Sequence, residues 1–308
     1  DGEYIVVGTK DDKVYLFDKD SSTPLWSYTA GDEINSVAIS ADGEYVAVGT
    51  QGCCSLGGKI YLFDKDSNTP LWTHTTGVGL VDISGDGEYI AGLVGTELKL
   101  FHRSSSTPLW TNGLGSNTDA PSVAISADGK YVAAGSLNDY VYLLDKDSST
   151  PLWSYTGSSY IKSVAISADG EHIVAGSVDN KVYLFGKDSS TPLWSYETNG
   201  DVNTVSISAD GEYIVAGSND NKFYLFDKDS STPLWNYDLG DDALTTSISA
   251  NGEYIVVCCT DGYRLFRFGK DSNTPLWHYV TGEMSHSVKI SADGEYVVVG
   301  SRSDKVYL

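Results

Sequence analysis

The sequence predicts an all-β protein, a β-propeller built of four-stranded antiparallel blades, from a tandem repeat, a strand pattern and a turn pattern. Seven tryptophans each close the same Thr-Pro-Leu-Trp tetrapeptide at a period near 42 residues. That period is too long for most helical repeats, and it fits one four-stranded blade. The tryptophans are Trp26, Trp72, Trp110, Trp153, Trp194, Trp235 and Trp277.

Each repeat contains four short segments, A to D, that are rich in Val, Ile, Tyr and Phe and are predicted to be strands. In one repeat they span Val202–Ser208, Tyr213–Ser218, Lys222–Phe226 and Leu234–Tyr237. An Asp-Gly pair between A and B supplies the positive φ of a tight hairpin turn. Between C and D, Asp and Ser side chains can cap turn amides, and a proline indicates that D is an outer edge strand.

The number of blades follows from the first and last repeats. The chain contains eight B–C hairpins, but it starts without an A strand and stops without a D strand. We expect eight blades, with seven as the alternative, in a single propeller domain over residues 1–308. A lone blade has two apolar faces, so stacking of neighbours should supply most of the stability. Small strand B residues such as Ala216 and Gly217 are expected where neighbouring sheets approach closely.

The charge balance restricts the partners of the chain. Its 42 acidic and 20 basic residues give a formal charge of −22, so nucleic acid and anionic lipid surfaces should be repelled. No stretch reaches the roughly 18 consecutive apolar residues of a membrane-spanning helix. We therefore expect neither a nucleic-acid partner nor direct membrane insertion.

The spacing of Leu16-Phe17-Asp18 to Trp26 is that of the tryptophan-docking repeat of PQQ-type propellers, which the chain resembles over essentially its whole length. The repeat also resembles a degenerate WD repeat, although no Trp-Asp dipeptide is present. The resemblance implies that each tryptophan packs between neighbouring blades. Both families imply a fold that mostly hosts scaffolds and binding platforms, with a minority of quinone-dependent dehydrogenases.

Two pairs of adjacent cysteines, Cys53-Cys54 and Cys258-Cys259, are the only cysteines. In quinone-dependent alcohol dehydrogenases of the PQQ type, a disulfide between adjacent cysteines stacks on the quinone, so the resemblance raises that possibility here. Those enzymes are much longer chains, with insertions that hold Ca²⁺ and a catalytic carboxylate. Local disulfides in an oxidising compartment and free thiols are the other interpretations, and Cys258 and Cys259 occupy places where small buried residues are expected.

The C–D turn Asp18-x-Asp20-x-Ser22, which has counterparts at Asp64, Asp145 and Asp227, is similar to the opening of a calcium loop. The later Gly and the bidentate Glu of such a loop are missing, and a self-capped turn explains the same residues. The five histidines show no metal-ligand spacing. We expect no cofactor, with Ca²⁺ as the alternative, and no catalytic residue.

The two sets of loops differ in sequence. The A–B and C–D turns share one face, here called the constant face, and hold more than half of the 42 acidic residues. The B–C and D–A loops share the other, the variable face, and differ from repeat to repeat, which indicates either a functional role for these loops or neutral drift of unconstrained loops. Candidate binding residues there are Cys53, Cys54, Leu56, Asn117, Tyr160, Asp242 and Met284.

The sequence thus predicts a non-catalytic scaffold that binds a protein or glycan partner through its variable face. We expect an extracytoplasmic or cell-surface location, with a cytoplasmic one left open. Two alternatives are a PQQ-dependent oxidoreductase and a structural module of a larger cell-surface protein, whose repeat array would extend beyond residues 1 and 308.

Overall fold

The computed structural model of the chain describes residues 2–52, 57–75, 77, 79–94, 96–114, 121–260, 263–302 and 305–308. Within these ranges every regular element is a β-strand. None of these residues forms a helix long and apolar enough to cross a membrane. Two compact units can be separated, residues 1–138 with 142–153 and residues 139–141 with 154–308, and each is described by itself.

The first unit contains a three-stranded sheet, β1-β2-β3, and two four-stranded sheets, β4-β5-β6-β7 and β11-β10-β9-β8. Their strands are β1 (Tyr4–Gly8), β2 (Lys13–Asp18), β3 (Trp26–Thr29), β4 (Ile34–Ile39), β5 (Tyr45–Thr50), β6 (Lys59–Asp64), β7 (Trp72–Thr75), β8 (Gly79–Ile83), β9 (Tyr89–Val94), β10 (Glu97–His102) and β11 (Trp110–Gly113). A fourth sheet has residues in both units and consists of β12 (Ser122–Ile125), β13 (Tyr131–Gly135), β14 (Tyr140–Asp145) and β15 (Trp153–Thr156).

The second unit contains three four-stranded sheets and one three-stranded sheet, each in chain order. Their strands are β16 (Ile161–Ile166), β17 (His172–Ser177), β18 (Lys181–Gly186), β19 (Trp194–Glu197), β20 (Val202–Ile207), β21 (Tyr213–Ser218), β22 (Lys222–Asp227), β23 (Trp235–Asp238), β24 (Ala243–Ile248), β25 (Tyr254–Cys259), β26 (Arg264–Gly269), β27 (Trp277–Val280), β28 (Ser285–Ile290), β29 (Val297–Ser301) and β30 (Lys305–Tyr307).

The described residues thus form eight antiparallel sheets, of which the first lacks strand A and the last lacks strand D. The predicted all-β propeller with eight blades is confirmed, and the seven-bladed alternative is wrong. The prediction that residues 1–308 form a single domain stays a prediction.

The sheet β20–β23 shows how the repeat sequence produces its strands. Strand A ends at Ile207, one residue earlier than predicted, and strand D begins at Trp235 rather than at the preceding leucine. The A–B turn depends on Gly211, whose φ of 74° lies in the left-handed region that other residues rarely adopt. In the C–D turn, Asp227 Oδ1 accepts the amide of Asp229 at 2.9 Å, so this aspartate is a turn cap.

Neighbouring sheets of the second unit pack through their apolar faces, as the lack of a self-sufficient core in one blade requires. One buried cluster joins Val215 and Phe223 of one sheet to Ile255 and Phe268 of the next. The strand B glycine is a point of closest approach. A Cβ on Gly217 would lie 2.8 Å from the Cβ of Ala243 in the next sheet, so only glycine fits without displacement.

Candidate functional site

The constant face is occupied by contacts that hold successive sheets together. Trp235 donates its indole N–H to the carbonyl oxygen of Lys270, in the C–D turn of the next sheet, at 2.6 Å. The amide of Lys270 in turn donates to the carbonyl of Glu253, in the A–B turn of its own sheet. One turn residue therefore joins a tryptophan of the preceding sheet to a second turn. Four further tryptophans make the equivalent bond to a C–D turn carbonyl: Trp26, Trp72, Trp110 and Trp194.

Tyrosines on the constant face also have a packing role. The ring of Tyr254 covers Gly294 in the A–B turn of the next sheet so closely that a Cβ there would lie 2.3 Å from the ring. The guanidinium of Arg267 stacks over the same ring at 4.2 Å and donates to the carbonyl of Gly294 at 2.8 Å. The residues that recur on the constant face therefore serve contacts between sheets, and they offer little that could distinguish one partner from another.

On the variable face, hydrogen bonds to Asp220 fix a B–C turn, an arrangement here called the clamp. In the turn of β21 and β22, Asp220 Oδ2 accepts the hydroxyl of Tyr224 at 2.5 Å and the amide of Asn199 at 3.0 Å. Its Oδ1 accepts the amide of Lys222 at 3.1 Å. Burial, together with the hydrogen bond to Asp220, raises the pKa of Tyr224 above its usual value. The aspartate thus ties the B–C turn to the D–A loop before it.

A row of equivalent residues lies beside this clamp, at the last position before each strand A. In each case the backbone carbonyl accepts an amide from the B–C turn of the same sheet, at 2.8–3.1 Å. Because the backbone makes this bond, the bond does not depend on the identity of the side chain, which differs between sheets. In the second unit the row, here called the loop-end row, consists of Tyr160, Asp201, Asp242 and Met284, and Glu33 makes the equivalent bond in the first unit.

Three of the predicted binding residues, Tyr160, Asp242 and Met284, therefore occupy one equivalent position, directly before β16, β24 and β28. Tyr160 is 51% exposed, and Asp242 and Met284 are partly buried. The other predicted candidates, Cys53, Cys54, Leu56 and Asn117, lie outside the described residues.

Asp201, the row member that sequence reasoning missed, joins a polar network across sheets. Lys162 Nζ lies 3.1 Å from Asp201 Oδ2 and donates to Asn203 Oδ1 at 2.9 Å. Asn203 in turn bonds to the side chain of Asn219 and, at 3.3 Å, to the carbonyl of Ala243 in the following sheet. Alignment of the residue before each strand A would have found Asp201.

Tyr263 is a second residue that the sequence reasoning missed. It has a φ of 50° and is 39% exposed, at the left-handed position of a B–C turn. The equivalent residues of the two preceding sheets are Asn180 and Asn221, and asparagine tolerates this conformation far better than tyrosine. A bulky aromatic held there at the surface is an outlier of the kind that gathers at functional positions. The sequence signal is the tyrosine in a place where most other repeats have Asn or Asp and none has an aromatic residue.

The Cys258-Cys259 pair is present as two free, buried thiols. Adjacent residues of a strand point to opposite faces of the sheet. Accordingly, Cys258 packs with Val288 of the next sheet, whereas Cys259 belongs to the cluster of Phe266 on the other face. Burial raises the pKa of the Cys258 thiol to about 12 and that of Cys259 to about 11. Both thiols are therefore protonated near neutral pH. The Cys53-Cys54 pair lies outside the described residues.

In the part of the chain that the structure describes, no three His, Cys, Asp or Glu side chains lie close enough together to hold a metal ion. The Asp18 carboxylate of the calcium-like turn accepts the amide of Asp20 at 2.8 Å. Ca²⁺ binding stays an untested alternative.

Comparison with known proteins gives the family. Residues 94–209 and 203–308 match the family model PQQ_2, described as outer membrane protein assembly factor BamB, and together cover more than half of the chain. The chain belongs to the PQQ_2 family. Residues 22–64 also match the model of the WD domain, G-beta repeat. The resemblance to PQQ-type and WD repeats is thereby confirmed.

The PQQ_2 match is accompanied by a similarity of structure. The chain resembles one in the solved structure described as "Crystal Structure of Mitotic Checkpoint Complex", with a TM-score of 0.73 and 17% identity over 89% of this chain and 88% of that chain. At that identity the similarity is one of fold. No curated protein shows a significant sequence match.

Proposed function

We propose that this PQQ_2 family chain is a non-catalytic scaffold that binds a partner protein through the variable face of its second unit. The observation that carries the proposal is the loop-end row, where a backbone carbonyl makes the structural bond and the side chain differs from sheet to sheet, as Tyr160, Asp201, Asp242 and Met284. Loops placed on a rigid scaffold in this way commonly carry recognition.

Exposed aromatic side chains on the same face support a protein partner. Tyr160 and Tyr263 are large, partly exposed and anchored by their backbones. Tyrosine is enriched among the residues that dominate binding energy at protein interfaces. The constant face, in contrast, uses its aromatic residues in contacts between sheets.

The comparisons support the same proposal. The family description names a factor in protein assembly, and the similar solved structure is that of a multi-protein complex. We extend the proposal to an extracytoplasmic location, which a cell-fractionation experiment with antibody detection would test. Recovery of the chain in the cytosolic fraction would count against that location.

The binding face is tested by placing a photo-crosslinking amino acid at Tyr160 and, as a control, at Glu253, an exposed residue of an A–B turn on the constant face. We expect a covalent adduct with a discrete partner protein from Tyr160 only. With that partner purified, Tyr160→Ala and Tyr263→Asn should each weaken binding about 30-fold, the loss typical of an aromatic hot spot. Glu253→Ala should leave the affinity unchanged. Adducts from Glu253 alone, or full affinity in both tyrosine variants, would rule out the variable face.

A further inference from the structure

Exposed leucines mark the outer edge strand of each four-stranded sheet in the second unit. Leu193, Leu234 and Leu276 directly precede strand D and are 58%, 51% and 57% exposed. The first unit repeats the pattern at the same position of its Thr-Pro-Leu-Trp segments, with the leucines Leu25, Leu71, Leu109 and Leu152 exposed to a similar degree. Seven of the exposed large hydrophobic side chains among the described residues therefore belong to a single repeat position.

The strand register explains why these leucines face solvent. The amide of Leu234 donates to the carbonyl of Leu225 in strand C at 2.8 Å, which fixes the backbone. The next residue, Trp235, packs against the following sheet, and successive strand side chains point to opposite sides. Leu234 must therefore point outward.

The backbone hydrogen bond and the strand register do not depend on an apolar side chain at this outward position. The next outward residues on the same strand are polar: Asn236 and Asp238 are both exposed in the sheet of Leu234. A polar side chain at Leu234 would keep the backbone bond and the register. A recurrent apolar side chain at the surface is a mark of an interaction site.

The surrounding charge indicates which occupant fits. The C–D turns beside these leucines carry Asp188, Asp229 and Asp271, whose side chains are 88%, 81% and 84% exposed. Each aspartate pairs with the lysine that precedes it, and that lysine also pairs with a glutamate of the A–B turn, so two acidic side chains face each basic one. The whole chain carries a formal charge of −22. A second copy of this chain and an anionic membrane would both be repelled, whereas a basic segment would be attracted.

We propose that Leu193, Leu234 and Leu276, here called the rim leucines, form a second docking surface for a basic amphipathic segment of another protein. The apolar side chains of that segment contact the rim leucines, and its Lys or Arg residues pair with the aspartates of the C–D turns. Each leucine offers a small contact, but three equivalent contacts on one rigid unit act together and raise the overall affinity. This surface lies on the edge strands, apart from the variable face proposed above.

The test uses a synthetic helical peptide of about 18 residues, with leucines on one face and lysines on the other, and a scrambled peptide of the same composition. Binding to the full chain is measured by fluorescence anisotropy at about 0.15 M salt. The triple variant Leu193→Ser, Leu234→Ser, Leu276→Ser has unchanged net charge. We expect it to bind the amphipathic peptide at least about tenfold more weakly than the unmodified chain.

Tyr160→Ala is the control for the location of the peptide site. This variant should bind the peptide like the unmodified chain, which distinguishes the rim leucines from the variable face. Equal binding by the triple variant and the unmodified chain, or equal binding of the scrambled peptide, would overturn the proposal. Two other results would also overturn it. One is dimer formation in sedimentation that the triple variant loses, and the other is flotation with phosphatidylcholine vesicles that the triple variant loses. Should the triple variant lose its circular dichroism spectrum, the three single variants replace it, and each should weaken binding about twofold.

Discussion

The indole N–H of Trp235 donates a 2.6 Å hydrogen bond to the carbonyl oxygen of Lys270, a residue of the next sheet. The same indole packs against the buried ring of Phe268 at 5.7 Å between ring centroids. One side chain thus contributes apolar packing and a directional bond to the junction between two sheets. Because both contacts cross from sheet to sheet, this junction should govern the stability of the second unit.

Replacement of Trp235 should show how much its hydrogen bond to Lys270 contributes to the free energy of unfolding. Trp235→Phe keeps an aromatic ring but leaves the Lys270 carbonyl without its donor, so we expect the free energy of unfolding to fall by about 2 kcal/mol. Urea unfolding followed by circular dichroism measures the change. Trp277→Phe is the matched control, since Trp277 is already 37% exposed and its replacement should cost less. A larger loss from Trp277→Phe would contradict the prediction.

A side chain at the strand B glycine should force neighbouring sheets apart. In Gly217→Val the new Cβ would meet Ala243 of the next sheet at 2.8 Å, so we expect the free energy of unfolding to fall by about 1–3 kcal/mol. Gly186→Ala is the control, because the nearest atoms to its Cβ lie at 3.9 Å, an ordinary contact. Thermal unfolding distinguishes the two variants, and similar melting temperatures would refute the close approach.

Relief of the backbone strain at Tyr263 should stabilise the protein. Tyr263→Asn places a residue that tolerates the left-handed conformation at a φ of 50°, and we expect a gain of about 1 kcal/mol. The reverse change, Asn221→Tyr, introduces tyrosine at a φ of 68° and should cost a similar amount. Differential scanning calorimetry measures both. If neither variant shifts the melting temperature, Tyr263 is not strained.

The burial of Tyr61 should make the free energy of unfolding depend on pH in the alkaline range. Burial and the neighbouring Tyr28 raise the pKa of Tyr61 to about 12, from the usual 10.0. Between these values the unfolded chain has lost this proton while the folded chain retains it, so the free energy of unfolding falls as the pH rises from about 10 to 12. Below pH 10 both states keep the proton and the contribution is fully present. Tyr61→Phe should make this fall shallower in urea unfolding, and an unchanged slope would contradict the prediction.

The sequence predicted the strands well because their determinants are local. The apolar run from Tyr213 to Ser218, rich in strand-forming residues, places strand B correctly, and the Asp-Gly pair places the positive φ at Gly211. Strand A ends one residue earlier than predicted, at Ile207, strand C ends one residue later, at Asp227, and strand D is shifted by one residue to Trp235–Asp238. Strand ends depend on cross-strand hydrogen bonds and not on residue preference alone.

The candidate site was only partly predictable. Tyr160, Asp242 and Met284 were selected for their variability, but their equivalence became visible only through the carbonyl bond that each makes to a B–C turn. Asp201 belongs to the same row and was missed. Tyr263 was missed because its significance depends on a backbone dihedral angle, which residue identity does not report.

By itself, the sequence determined the all-β class, the repeat and its eight hairpins, since the period, the strand-forming runs and the turn residues act within one repeat. Only the tertiary structure decided which side chains serve the contacts between sheets and which remain exposed to solvent. That distinction separates Trp235 from Leu234, adjacent residues of one recurring motif. It depends on which side of the strand faces the neighbouring sheet, a relation between residues 35 apart in the chain.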